Sequence, residues 1–303
     1  MNYDGFLIIN KPPGYTSHQV VAELRRILGT KRIGHTGTLD PMATGTLVIA
    51  IGMGTKLIPY LQEEKKTYRA ELVLGISTDT QDLSGEVITA HPEMCISHEE
   101  LETALQRFIG PLEQVPPMYS AVKVSGQPLY KMARTGKTVP RKPRRIIIYH
   151  LEVSDKTVDY YRFKEGPFLL VECSKGTYIR TLCHDLGEFL GCGACMGGLV
   201  RLSSGVFSLE QAHSLAEVAA AKQNNSLREL LISPVEALHH LETVQLKPDE
   251  VERIQHGNHI LCSNSRSELA KAVTEDGKLV AIVKRVSLSD YAYWQPKRVL
   301  PDP

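Results

Sequence analysis

The stretch "GHTGTLDPMATGTLVIAIG", Gly34–Gly52, joins two patterns that together set the reading of the chain. Its first part is rich in glycine and threonine and follows neither a helical nor a strand period, so it reads as a loop. Its second part, from Thr46, is a short apolar run bounded by glycine, which suits a buried strand. A single carboxylate, Asp40, sits in the loop next to Pro41. The residue before a proline is driven to extended backbone, and aspartate is common in turns, so this placement alone has a structural explanation. A loop held at a strand end is also where functional groups concentrate.

Working outward, "FLIINKPPG" reads as a buried strand that turns at Pro12, Pro13 and Gly14. "SHQVVAELRRILG" has the helical period, with Val20, Val21, Leu24, Ile27 and Leu28 on one face, Ser17 as cap and Gly29 as stop. "TYRAELVLG" alternates, placing Tyr68, Ala70, Leu72 and Leu74 on one face of a strand. "SHEELETALQRFIGP" carries a capping box from Ser97 to Glu100 and a Gly110–Pro111 stop. "RRIIIYHLEV" and "FLLVECS" read as strands. "GTYIRTLCHDLGEFLG" reads as a helix with Tyr178, Ile179 and Arg180 in its first turn. There is no regular β-α alternation, so the fold class expected is α+β, a mixed and largely antiparallel sheet with helices. After about residue 240 the character shifts to one short helix and a strand, which predicts a small β-rich appendage over 241–303.

Composition narrows the functional classes. The 303 residues carry a net charge of +1, so a polyanion partner would have to meet a local patch. The densest basic run is "RKPRR", Arg141–Arg145, which suits either a solvated loop or a phosphate-contacting one. The start lacks the pattern of a signal peptide, no apolar run approaches bilayer length, and six cysteines are thinly spread; these predict a cytoplasmic protein with reduced thiols. "RTGKT" lacks the upstream glycine of a phosphate-binding loop, because position 131 is Lys131. "CGAC", Cys192–Cys195, with nearby Cys183 and His184, has no second CxxC pair, and no metal is expected. Asp79 and Asp82 of "TDTQD" read as turn aspartates that bond their own backbone.

Several segments, in order, resemble the TruB family of tRNA pseudouridine synthases. "GHTGTLDPMATGTL" resembles its catalytic motif, and "INKPPGYTSHQVV" its N-terminal Lys-Pro-x-Gly segment. "KKTYRAELVLGISTDTQDLSG" resembles its Lys-x-Tyr strand and following turn, and "VPPMYSAVKVSGQPLYKMARTG" its Pro-Pro-x-Tyr-Ser-Ala segment. "CSKGTYIRTLCHDLGEFLGCGA" resembles its Lys-Gly-Thr-Tyr-Ile-Arg segment. The likeness runs from residue 6 to about 210, with a weaker one to a PUA-like appendage in the tail.

The resemblance implies a pseudouridine synthase domain over 1–240 and a PUA-like RNA-binding domain over 241–303. The implied reaction isomerises the T-loop uridine of tRNA, position 55, by base flipping and without a cofactor. The implied partner is the tRNA T-stem-loop; no membrane and no obligate protein partner is expected. Asp40 is then the catalytic aspartate, as nucleophile or base, and Arg180 the guanidinium that forks onto it and keeps it ionised. Tyr68 stacks on uracil and aids removal of the C5 proton. Tyr178 and Leu199 line the base pocket, while His35 and Lys11 face substrate. The family usually has Leu-Arg-Arg-Leu where this chain has "LVRL", Leu199–Leu202, so Arg201 receives no role. A chain ending near residue 240 is expected to keep the chemistry. Two other classes compete: a non-catalytic RNA-binding protein, and a metal-dependent hydrolase using His35, Asp40, Asp79 and Asp82.

Overall fold

A computed structural model describes residues 3–61, 65–124, 126–155, 158–262, 265–288 and 291–300. Its main sheet has seven principal strands: β1 Gly5–Lys11, β2 Thr44–Ile51, β3 Lys65–Leu74, β4 Gly110–Gln114, β5 Arg144–Val153, β6 Phe168–Ser174 and β7 Ala194–Ser204. Their spatial order is β1-β2-β7-β3-β6-β5-β4. The β7–β2 pairing is parallel; the others along this path are antiparallel. The last strand in sequence is thus inserted between two early ones.

Side-chain alternation divides the sheet into two faces. Leu7, Ile9, Leu47, Ile49 and Ile51 join one apolar cluster with Leu24 of α1 (Ser17–Leu28), Leu101 of α2 (His98–Gln106) and Leu186 of α3 (Ile179–Phe189). Phe6, Ile8, Val48 and Ala50 point the other way and join a second cluster. The expected strands and helices are present, with two corrections: α2 ends at Gln106, so that Gly110–Pro111, read as its stop, open β4 instead, and the other lies at the start of α1. Thr16, not Ser17, is the cap; its hydroxyl accepts from the Gln19 amide, and the Gln19 side chain returns to the Thr16 backbone. Ser17 instead accepts from the Leu39 amide at 2.9 Å, tying α1 to the loop that carries Asp40.

The C-terminal sheet holds β8 Glu242–Gln245, β9 Ile260–Leu261, β10 Leu269–Val273, β11 Leu279–Leu288 and β12 Tyr291–Val299, in the order β8-β10-β11-β12-β9. Val273, Leu279, Ile282 and Leu300 belong to the same apolar cluster as Phe6, Ile8, Val48 and Ala50. The Lys271 ammonium donates to the carbonyls of Leu238 and Val235, at 3.0 and 3.2 Å. The tail therefore completes the core behind β1 and β2. Among the described residues no helix is long and apolar enough to cross a membrane.

Candidate active site

One row of register partners crosses the middle of the main sheet. Lys11 on β1 pairs with Gly45 on β2, Gly45 with Arg201 on β7, Arg201 with Tyr68 on β3, and Tyr68 with Val171 on β6. The loop between the short strand Ile33–His35 and β2 carries Asp40. Gly45 makes the crossing possible. Its φ is +98°, and a β-carbon there would fall 2.3 Å from the Arg201 carbonyl oxygen. Only glycine accepts both the backbone angle and the approach.

Arg180 stands in the first turn of α3, after Tyr178, whose side chain gives no cap hydrogen bond. Gln114 supplies the clasp that the helix start lacks. The Tyr178 amide donates to Gln114 Oε1 at 2.8 Å, and Gln114 Nε2 donates to the Tyr178 carbonyl at 3.0 Å. Arg180 is thereby delivered to Asp40. Its Nη2 donates to Asp40 Oδ1 at 3.1 Å, and its Nε lies 2.9 Å from Oδ2. The guanidinium faces both oxygens, but only the first contact has hydrogen-bond alignment; Nε has no aligned acceptor.

The same guanidinium has a second carboxylate. Nη1 lies 3.3 Å from Asp82 Oδ2 and donates to the Thr80 carbonyl at 3.1 Å, while Nη2 also donates to the Tyr119 carbonyl at 2.9 Å. Asp82 does bond its own turn, accepting from Thr80 Oγ1 at 2.7 Å, from the Ser84 amide at 3.0 Å and from the Ser84 hydroxyl. The turn reading missed its other oxygen. The partner is distant in sequence, and nothing local marks it.

Electrostatics at Asp40 qualify the expectation that Arg180 keeps it ionised. Its side chain is 35% exposed, against 6% for Arg180. Burial of the carboxyl is the largest influence and raises its pKa; Arg180 opposes that, and the Asp82 charge adds to it. The net direction is upward, because burial, aided by the Asp82 charge, outweighs the guanidinium. The Tyr68 phenol is likewise pushed up by burial.

Lys11, expected to face substrate, is fully buried, and its ammonium reaches the carbonyls of Tyr15, Pro12 and Pro41 at 2.6, 2.9 and 3.1 Å. Three carbonyls account for all three of its protons, so it anchors the residue after Asp40 and has no donor left for RNA. Burial lowers its pKa to about 8. Tyr178 is half-buried beside Arg180, and Leu199 lies in the core at an irregular part of β7. His35 stacks edge-on against His18, with ring centroids 5.4 Å apart; burial first, then the charges of His18 and Arg201, lowers its pKa.

Arg201, unassigned in the sequence reading, is 1% exposed and bonded throughout the Asp40 loop. Its Nε donates to the Thr46 carbonyl at 2.7 Å, its Nη2 to Gly37 at 3.3 Å and its Nη1 to Thr38 at 3.4 Å. The basic run leads into the same sheet. Arg141 donates to the Pro116 carbonyl at 3.0 Å, and exposed Arg144 and Arg145 open β5. The set required for a metal-dependent hydrolase is not brought together: Arg180 stands between Asp40 and Asp82, and Asp79 accepts from the Glu86 amide at 2.8 Å. Among the described residues no three His, Cys, Asp or Glu side chains form a metal cluster.

Likeness to known proteins follows the same outline. The family described as "TruB family pseudouridylate synthase (N terminal domain)" matches residues 25–179, and "tRNA pseudouridylate synthase B C-terminal domain" matches 180–239. The tRNA pseudouridine synthase B of Geobacter sulfurreducens is 47% identical over 254 residues, 84% of this chain and 82% of that one. That of Heliobacterium mobile is 42% identical over 300 residues, 98% of this chain and 95% of that one. Among solved structures, the crystal structure of a Cbf5-Nop10-Gar1 complex includes a chain with a TM-score of 0.72 at 26% identity. The match covers 98% of this chain and 85% of that one.

Proposed function

Given that the chain belongs to the TruB family and is a tRNA pseudouridine synthase, an isomerase, we propose that it converts the T-loop uridine at position 55 of tRNA to pseudouridine. The observation that carries this reading is Asp40, partly open to solvent and held by the buried Arg180 guanidinium. The C1′–N1 bond of the nucleotide breaks, the uracil turns, and a C1′–C5 bond forms. N1 gains a proton and C5 loses one, so no oxidant, reductant or water is consumed.

Asp40 acts beside the sugar, as nucleophile at C1′ or as base, while uracil is detached. Arg180 sets its direction. Tyr68, on β3 beside Arg201, offers a ring face to the everted uracil and a hydroxyl near C5. Leu199 and Tyr178 wall the base, and His35 meets the reshaped loop. A uridine in folded tRNA reaches such a group only by eversion. Arg141, Arg144 and Arg145 and the C-terminal sheet are the surfaces proposed to hold phosphates.

The test is incubation with unmodified tRNA followed by mapping of pseudouridine. A single new pseudouridine at the T-loop position, lost in Asp40→Asn, is expected. Prefolded tRNA should be turned over equally in the presence of a chelator. Modification elsewhere, or none, would reject the assignment.

A further inference from the structure

Arg201 stands out among the buried side chains. It is the largest of the fully buried ones, it carries a charge, and among the described residues it has no ion-pair partner. Burying a guanidinium without a counter-ion costs several kcal/mol. A neutral amide can bridge two strands at less cost. The charge therefore asks for a reason beyond cohesion of the sheet.

Two features of its placement supply one. Its three donors take carbonyls on both stems of the Asp40 loop: Gly37 and Thr38 before the aspartate, and Thr46 after it. The loop is closed at its base by one side chain, while Lys11 holds the Pro41 carbonyl near its tip. The second feature is the register. Arg201 is the direct cross-strand partner of Tyr68.

We propose that Arg201 is a positioning residue of this site, fixing the Asp40 loop by both stems and setting the charge environment of the Tyr68 hydroxyl. This rests on the function proposed for Asp40 and Tyr68. The groups that bear on Tyr68 come from three elements. They are Arg201 on β7, which favours the phenolate, and Cys173 on β6 and Asp40 in the loop, which oppose it. Arg201 is the cation among these, so its charge offsets what burial and two acids do to the phenol.

The test uses the full chain with 3-fluorotyrosine at position 68, whose fluorine signal follows ionisation of that ring. Arg201→Gln removes the charge; Arg201→Lys keeps it but cannot span three carbonyls. The Gln variant should move the Tyr68 titration to higher pH, and the Lys variant should leave it near wild type. Single-turnover rates of the Lys variant should fall on the order of 100-fold, with tRNA binding within about tenfold. An unmoved titration in folded Arg201→Gln, or a Lys variant within a few-fold of wild-type turnover, overturns the proposal. Should Arg201→Gln not fold, the Lys turnover decides. Wild-type turnover in Tyr68→Phe would instead reject the role proposed for Tyr68, and leaves both Arg201 readouts standing.

Discussion

Arg180 Nη1 lies 3.3 Å from Asp82 Oδ2, so the guanidinium that faces Asp40 is divided between two carboxylates. Asp82 is itself buried. One cation balances two acids, and its Nη1 and Nη2 also donate to the carbonyls of Thr80 and Tyr119.

Arg180→Ala leaves the two acids without their cation. Breaking a buried pair in this way costs about 3–5 kcal/mol, and denaturant unfolding should record a loss of that size. Arg180→Lys restores charge without the planar fork. It should bind tRNA and still turn over on the order of 100-fold more slowly. Near-normal single-turnover rates for the lysine variant would mean that charge alone suffices.

Asp82→Asn keeps an acceptor for Thr80 and Ser84 and removes one negative charge. Because the Asp82 charge raises the Asp40 pKa, its loss lowers that pKa. The acid limb of the pH–rate profile should move to lower pH. The neutral-pH rate should still fall by roughly tenfold or more, since Arg180 loses an anchor. An acid limb that stays in place would restrict Asp82 to shaping its turn.

Asp40→Asn should abolish turnover and raise the melting temperature. The folded-state pKa of Asp40 lies above its ordinary value, so the folded chain binds that proton more tightly than the unfolded one. The stability this contributes is complete below the unfolded pKa and is lost as pH rises through the folded value. Ionised Asp40 is thus a cost at neutral pH, and the asparagine removes it while leaving Arg180 paired with Asp82. Melting curves should show a gain at neutral pH that closes near about pH 4. A variant melting below wild type at neutral pH would contradict the direction.

Removal of the residues after 240 now carries a different expectation from the one that motif positions suggest. Val273, Leu279, Ile282 and Leu300 cover Phe6, Ile8, Val48 and Ala50. A fully buried aliphatic or aromatic side chain contributes about 1.5–3 kcal/mol. The truncated chain should melt far lower and bind an apolar dye. Polar substitutions at Phe6, Ile8 and Val48 should restore solubility, after which turnover with weaker tRNA binding is the expected result. A truncation that melts with the full chain would show that the shared cluster contributes little.

How far the sequence was legible depended on range. The strand alternation around Tyr68 and the capping box at Ser97 are local signals, and both stand as read, although the helix that the box opens ends at Gln106 before the expected Gly110–Pro111 stop. The cap of α1 was also written locally, because Gln19 follows Thr16 by three positions; choosing Ser17 overlooked that spacing. Asp40 and Arg180 came from motif likeness, and the structure places them in contact. Lys11 was expected to face substrate and Arg201 received no role, because burial is a property of the whole sheet and has no local mark. Phe6 and Ile8 read as part of a buried strand, but the sequence does not say that a tail more than 200 residues away covers them.

The insertion of β7 between β2 and β3 also bears on when this protein becomes competent during synthesis. Asp40 leaves the ribosome early, but Arg180 comes 140 residues after Asp40 and 98 residues after Asp82. Until Ser204 has emerged, β2 and β3 have no strand to join them, and neither half can close its ladder. Such distant pairings are slow to form, and open strand edges invite association meanwhile. A nascent chain halted before β7 should therefore expose both edges to chaperones, and pulse-labelling of stalled chains should find protection of β2 and β3 appearing together, only after β7 clears the exit tunnel.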